Sequence, residues 1–399
     1  MPAIRPTDPL VLARAAADSL VVAADPESRR SCVFFWEKYR PLLRDVEQAA
    51  RRLTEPRLRS LAQELLDRPE DPARHRTLVG ALRAADPHAP ATAALFDAAW
   101  RAERDNRLGH HLGERYHAGT ARPVTLDELR TTRPRHAPAA APNAPVLIVI
   151  PFRDRDTDGV RARNLVACLL SLGDQSFPRD RFRVTVVESD AHPRWREVVA
   201  PYADDYLFAP KPDTFNKSWA VNAGVTHTGA QAEVICILDA DVLTDRDFVA
   251  RNVDRLRRRG TGGHLTYRDM LGMTAESTAH AVRRRVLDGA AQADPQDVRG
   301  FVVRRPPGAC VWVRAGVFRQ IGGMDERYEG WGGEDTDFAY RMDFAAAFDT
   351  YADPLLHMNH PPAAVLREDG ELVNAHIPWL SWDPQQPIGR LDRFAPAPL

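Results

Sequence analysis

The sequence predicts an α/β protein: a mostly parallel, doubly wound sheet preceded by an α-helical N-terminal domain. Three observations lead there. Apolar residues recur at helical spacing through about the first 130 positions, as in Val46, Ala49, Ala50 and Leu53, or Leu95, Ala98 and Ala99. Beyond a proline-rich stretch, short continuous apolar runs alternate with helical patterns, as expected of buried strands joined by crossover helices. The length, 399 residues, corresponds to two or three domains at roughly 100–200 residues each.

In chain order, residues 1–130 read as several short helices, with Asp25-Pro26, Glu70-Asp71-Pro72 and Asp86-Pro87 ending one helix or beginning the next. The basic segment 51–60 reads as a solvated face, and no chemistry is legible in this third of the chain. Residues 131–145 hold Pro134, Pro138, Pro142 and Pro145 and few large apolar side chains, which marks a linker. Residues 146–362 form the α/β domain, and 363–399 a C-terminal extension. Its strands are expected at Val146 to Ile150, Phe182 to Val187, Tyr206 to Phe208 and Val234 to Leu238. Helices are expected around Leu165 to Leu170 and Trp219 to Val225. After Asp241, Thr244 and Asp247 have the spacing of a capping box, and Arg257, Arg258 and Arg259 ahead of Gly260 suit the negative end of a helix. Thr261 to Gly300, with the glycine-rich loop around Trp331, is a candidate lid.

Composition narrows the function. Hydrophobic residues at 44% and charged residues at 27% exclude wholesale disorder and fibrous folds. Lys+Arg 54 against Asp+Glu 55 leaves a net charge of -1, which offers no general field for nucleic acid or an anionic membrane. Cys32, Cys168, Cys236 and Cys310 are too scattered for a Cys-x-x-Cys site and read as free thiols in a reducing compartment. With no secretory leader pattern and no apolar stretch of ~18 residues, the expected location is the cytoplasm.

Doubly wound sheets bind ligands beyond the carboxyl ends of their strands, so the residues there carry the chemistry. The first strand runs into Pro151, Phe152, Arg153, Asp154 and Arg155, two arginines able to contact a phosphate or a base. The second ends in Glu188, Ser189 and Asp190, acceptors for a ribose or base. The fourth delivers Asp239 and Asp241. Residues i and i+2 share a strand face, so both carboxylates are expected to converge on one hard cation. Trp331, Gly332, Gly333, Glu334 and Asp335 combine an aromatic face, permissive backbone and two carboxylates at the start of a helix, where helix capping is the alternative reading for Asp335. His357 is the expected third protein ligand, with His360 as an alternative. A nitrogen ligand among oxygens suits Mn²⁺ better than Mg²⁺, though either fits.

The combination IPFRDR, FNKSWAVNAGV, ILDAD, GGMDERYEGWGGEDTDF and HMNH resembles the nucleotide-sugar glycosyltransferases of the Rossmann-like GT-A fold. It is most similar to the family 2 enzymes and to the β-1,4-galactosyltransferase type with its Trp-Gly-Gly-Glu-Asp signature, over about residues 145–362. The resemblance implies that Pro151, Phe152, Arg153 and Arg155 line a uridine nucleotide site, with Glu188 near the base and Lys217 approaching the phosphates. It implies that Asp239 and Asp241 form the Asp-x-Asp motif, Asp241 binding the metal with His357, and Asp239 lying near the ribose or serving as a further metal ligand. Trp331, Gly332 and Glu334 would contact donor and acceptor, and Asp335 would be the catalytic base.

The activity this implies is metal-dependent, inverting transfer of a sugar from a UDP-sugar to a hydroxyl of a glycan, lipid-linked saccharide, peptide or small natural product. Rivals are a retaining transferase, distinguished by product anomer, and a noncatalytic nucleotide-sugar-binding module, distinguished by donor turnover. A sugar-phosphate nucleotidyltransferase would resemble its relatives in a glycine-rich loop after the first strand, which PFRDRD lacks.

Overall fold

The computed structural model describes residues 5–155, 158–330, 332–362 and 373–394. The chain divides into two compact units. One comprises Met1–Arg122, Asp269–His280 and Asp294–Arg305, and the other Pro123–Arg268, Ala281–Ala293 and Pro306–Leu399. The helical unit is therefore not confined to the first 130 residues, because two later segments pack with it.

Five longer helices, Pro9–Ala24, Val33–Arg51, Pro56–Asp67, Pro72–Ala84 and Pro90–Asp105, make up most of the first unit. Four of them open on proline, whose fixed φ suits the first turn and whose missing N–H would have been unpaired there anyway. Asp8 and Asp71 cap two of these helices by accepting from Leu10 N–H, and from Ala73 and Arg74 N–H. Their apolar faces bury Leu12, Leu20, Val46, Leu65, Leu78, Leu95 and Phe96 in one core. An antiparallel sheet completes the unit, with Arg299–Arg304 paired to both Leu108–Leu112 and Asp269–Met273.

The second unit is built on a seven-stranded sheet. Its order is Ala347–Thr350, Thr261–Leu265, Cys310–Arg314, Val234–Leu238, Val146–Phe152, Phe182–Glu188, Asp205–Phe208. Four of the six pairings are parallel, and Cys310–Arg314 runs antiparallel to both its neighbours. The expected α/β architecture is the one observed. Val146–Phe152 is buried along its whole length, which explains its unbroken apolar run. Pro151 falls where the ladder to Val234–Leu238 has already ended at Val149, so its missing N–H costs no bond there. Helix Lys217–Thr228 packs close against the sheet: a Cβ on Gly224 would lie 2.7 Å from Val149 Cγ1 and 2.9 Å from Val187 Cγ2.

Two local expectations change. Helix Phe248–Leu256 has Asp247 at its N-cap position, but no side chain caps it; Asp247 accepts from Ser176 Oγ at 2.6 Å, and Thr244 Oγ1 lies 2.8 Å from Ser171 Oγ. Thr261 to Gly300 is not one open loop, since it contains the strands Thr261–Leu265 and Asp269–Met273 and the helix Ala275–Val282. The four cysteines are unbridged. Among the described residues no helix is long and apolar enough to cross a membrane.

Candidate active site

The carboxyl ends of three parallel strands, the starts of three helices and one short antiparallel strand bring the candidate residues together. Leu355–His357 pairs with Val242–Leu243, placing His357 opposite Val242, while Met358 N–H donates to Asp241 O at 2.7 Å. This pairing holds the histidines beside Asp241. One ligand atom each from Asp241, His357 and His360 falls within 4.8 Å of the others.

Asp241 is almost fully buried and its two oxygens are differently engaged. Oδ1 accepts from Asn164 Nδ2 at 2.7 Å; Oδ2 lies 3.4 Å from an Arg161 guanidinium nitrogen and 3.5 Å from His360 Nε2. Burial works to raise its carboxyl, yet the neighbouring His360, Arg161 and His357 side chains and the Asn164 bond hold it below the usual value. Burial brings the His357 imidazole down to about 4, with His360 adding to the effect, so it is neutral at pH 7 and its nitrogen lone pair is available. One ionised carboxylate and two imidazoles make a donor set that fits Mn²⁺ and related divalent ions. His360 thus joins the cluster alongside His357.

Asp239 takes a different position. The strand ends at Leu238 and the chain turns, with Val242 N–H donating to Asp239 O at 3.2 Å, so the alternation that would align Asp239 with Asp241 no longer holds. The Asp239 carboxylate instead lies 2.9 Å from Lys217 Nζ, which is also 3.1 Å from Asp335. Lys217 opens its helix just after Asn216, whose side chain accepts from Trp219 N–H at 2.8 Å. Burial would lower the Lys217 ammonium, but Asp239 and Asp335 carry it above its ordinary value.

Glu334 and Asp335 begin the helix Glu334–Ala345, whose N-cap Gly333 has φ +99°. Burial, with Asp335 beside it, pushes the Glu334 carboxyl up to about 8, and its Oε2 has no hydrogen-bond partner. Asp335 is also raised by burial, but Lys217 opposes the rise. Behind Asp335 stands Gly308, where a Cβ would lie 2.1 Å from Asp335 Oδ2. Sequence reasoning missed Gly308, since nothing in its neighbours signals a contact made only through space.

The nucleotide candidates separate into two groups. Pro151 and Phe152 are buried, and the Phe152 ring meets Trp195 edge-on at 6.3 Å. Glu188 is fully buried and accepts from Arg194 N–H, Trp195 N–H and Tyr206 Oη, so its carboxylate organises the following loop. Arg153 and Arg155 donate to the carbonyls of Lys211 and Pro212, and Arg155 also pairs with Asp190. Asp190 Oδ2 is buried without a hydrogen bond, Arg194 Nε being 3.8 Å away. Ser189 Oγ is likewise buried without a partner, so Glu188 is fully engaged while Ser189 and Asp190 keep unused capacity, a difference the sequence hid because Glu188 and Asp190 look equivalent. Gly332 has φ +97° and its carbonyl accepts from Asn374 Nδ2 at 2.8 Å. Trp331 lies outside the described residues.

Residues 147–322 match the model "Glycosyl transferase family 2", and residues 307–350 match "N-terminal domain of galactosyltransferase". A search of curated proteins found no match. Among solved structures, a mannosyltransferase from Pyrobaculum calidifontis in complex with GDP-Man and Mn²⁺ aligns at 18% identity over 61% of this chain and 64% of that one, TM-score 0.37. Drosophila β1,4-galactosyltransferase 7, in a complex with manganese, UDP-Gal and xylobiose, aligns at 16% identity over 51% and 63%, TM-score 0.31. S. aureus TarS with UDP-GlcNAc aligns at 12% identity over 54% and 58%, TM-score 0.38. Each alignment spans less than two thirds of the matched chain.

Proposed function

We propose that this chain, a glycosyltransferase by virtue of the family 2 domain at residues 147–322, moves a sugar from a UDP-sugar to an acceptor hydroxyl with inversion at the anomeric carbon. The observation that carries this reading is the pair of clusters beyond the carboxyl end of the central strand Val234–Leu238: Asp241 with His357 and His360, and Lys217 between Asp239 and Asp335.

Asp241, His357 and His360 would hold the divalent ion, Mn²⁺ or Mg²⁺. When bound, it supplies positive charge to the diphosphate. Lys217 adds a second cation near the leaving phosphate oxygens while it stays paired with Asp239 and Asp335. Arg153 and Arg155 line the nucleotide, with Arg155 held by the buried Asp190 carboxylate. Asp335 takes the proton of the acceptor hydroxyl as its oxygen bonds the anomeric carbon; the bond from that carbon to the phosphate oxygen breaks and UDP departs. Glu334, neutral near pH 7, donates a hydrogen bond to donor or acceptor while Asp335 remains the base. The acceptor is a hydroxyl-bearing molecule, with no nucleic acid involved, and the four unbridged thiols support a reducing compartment such as the cytoplasm.

The test is a panel of UDP-sugars assayed for metal-dependent hydrolysis, followed by NMR of the product anomer once an acceptor is found. One donor should be hydrolysed with Mn²⁺ and not with EDTA. UDP affinity that is the same with and without EDTA, or unaffected by Asp241→Ala, overturns the metal assignment. Retention at the anomeric carbon overturns the base mechanism.

A further inference from the structure

We propose that Asp18, His75 and His110 form a second divalent-metal site, of zinc class, inside the helical unit and independent of sugar transfer. The three side chains come from three elements, Pro9–Ala24, Pro72–Ala84 and Leu108–Leu112. His75 Nε2 lies 2.8 Å and His110 Nδ1 2.9 Å from the same Asp18 oxygen, and one ligand atom from each falls within 4.8 Å of the others. The imidazoles are 9% and 1% exposed, while the Asp18 carboxylate keeps 25%, enough for a water to complete the coordination.

The charge balance of the cluster accommodates a cation. A carboxylate placed in a core is costly unless a cation or several donors face it. The buried guanidinium of this unit, Arg299, is committed to Asp25, and Arg304 to Glu103. Asp18 is left with two imidazoles, each carrying a single N–H when neutral. The far nitrogens, His75 Nδ1 and His110 Nε2, are buried without a hydrogen-bond partner, so the outer partner that usually orients a ligating imidazole is absent and Asp18 alone orients both rings. Two nitrogens and one carboxylate oxygen suit Zn²⁺, with bonds of about 2.0–2.2 Å and ligand atoms about 3.3 Å apart in a tetrahedron. The present spacings of 2.8 and 2.9 Å need to open by only about 0.5 Å, within reach of side-chain rotation. Such an ion would tie the helix Pro9–Ala24 to Pro72–Ala84 and to the strand Leu108–Leu112, a staple across this unit.

Because the cluster at Asp241 also binds metal in our reading, the test uses the full chain carrying Asp241→Ala and His357→Ala. That protein is exposed to zinc, dialysed against metal-free buffer and analysed for metal content. About one zinc per chain should remain, and Asp18→Asn or His110→Gln added to this background should each remove it. Absence of zinc in the background protein overturns the proposal whatever the further variants do, and so does equal retention by a folded Asp18→Asn protein. Cobalt substitution gives a second readout: the visible bands of a tetrahedral ion should appear in the background protein and vanish with Asp18→Asn. Failure of UDP binding leaves this result untouched, so the two readings stand or fall separately.

Discussion

Lys217 Nζ lies 3.1 Å from the Asp335 carboxylate, and the same ammonium reaches Asp239 at 2.9 Å. The contact gives the candidate base a cation that keeps its carboxyl from rising further in a buried setting. Lys217→Met removes that cation. Turnover should fall by about 10²–10³-fold, the scale of losing one charge-stabilising group. The acid limb of the pH–rate profile should also move to higher pH, because Asp335 then loses its proton less readily. Steady-state rates across pH 5–9 check both effects, and an unmoved acid limb would show that Lys217 does not act on the base.

Asp335→Asn keeps the shape of the side chain and removes its basicity. General base assistance is typically worth about 10²–10⁴-fold, so turnover should drop by that factor while UDP affinity stays within about twofold. Isothermal titration with UDP and Mn²⁺, beside the rate assay, separates the two quantities. Full activity in this variant would place the base elsewhere.

Gly308→Ala should act on the same carboxylate from behind. Its new methyl would sit 2.1 Å from Asp335 Oδ2, far inside contact distance, and the short Asp side chain must move. A displacement near 1 Å at a reacting group can cost about 10²-fold, so turnover should drop while the melting temperature and UDP affinity change little. A variant with wild-type turnover would mean that Asp335 does not need its present position.

Much of this fold is legible in the sequence, and the reasons it stops being so are local. Val146–Phe152 and Val234–Leu238 are buried on both sides and announce themselves as apolar runs. Thr261–Leu265 is equally buried but reads TGGHL, because neighbouring segments pass close there: a Cβ on Gly262 would lie 2.3 Å from the Ala346 methyl, and one on Gly263 2.7 Å from the Trp312 carbonyl oxygen. Glycine satisfies that packing and erases the hydrophobic signal. At the site, residue types were readable and their grouping was not. Asp239 and Asp241 look like one pair along the chain, yet the turn after Leu238 sends the first to Lys217 and the second to the histidines. The discontinuous helical unit was hidden for a similar reason, since Asp269–His280 and Asp294–Arg305 carry no mark of the partners they pack with.

Glu334 links the site to stability through pH. Its carboxyl stands at about 8 in the folded protein against 4.5 as its ordinary value, raised by burial and then by Asp335. Between those values the folded state holds a proton that the unfolded state has released. Stability therefore falls as pH rises from about 4.5 to about 8, by at most about 1.4 kcal/mol per pH unit, and this contribution is flat above that window. Glu334→Gln keeps a neutral, hydrogen-bonding side chain at every pH and removes the contribution. The variant and the parent should unfold alike near pH 5, and by pH 8.5 the variant should be the more stable. Chemical denaturation at the two pH values measures the difference, and parallel behaviour of the two proteins would mean that Glu334 is ionised in the folded state at neutral pH.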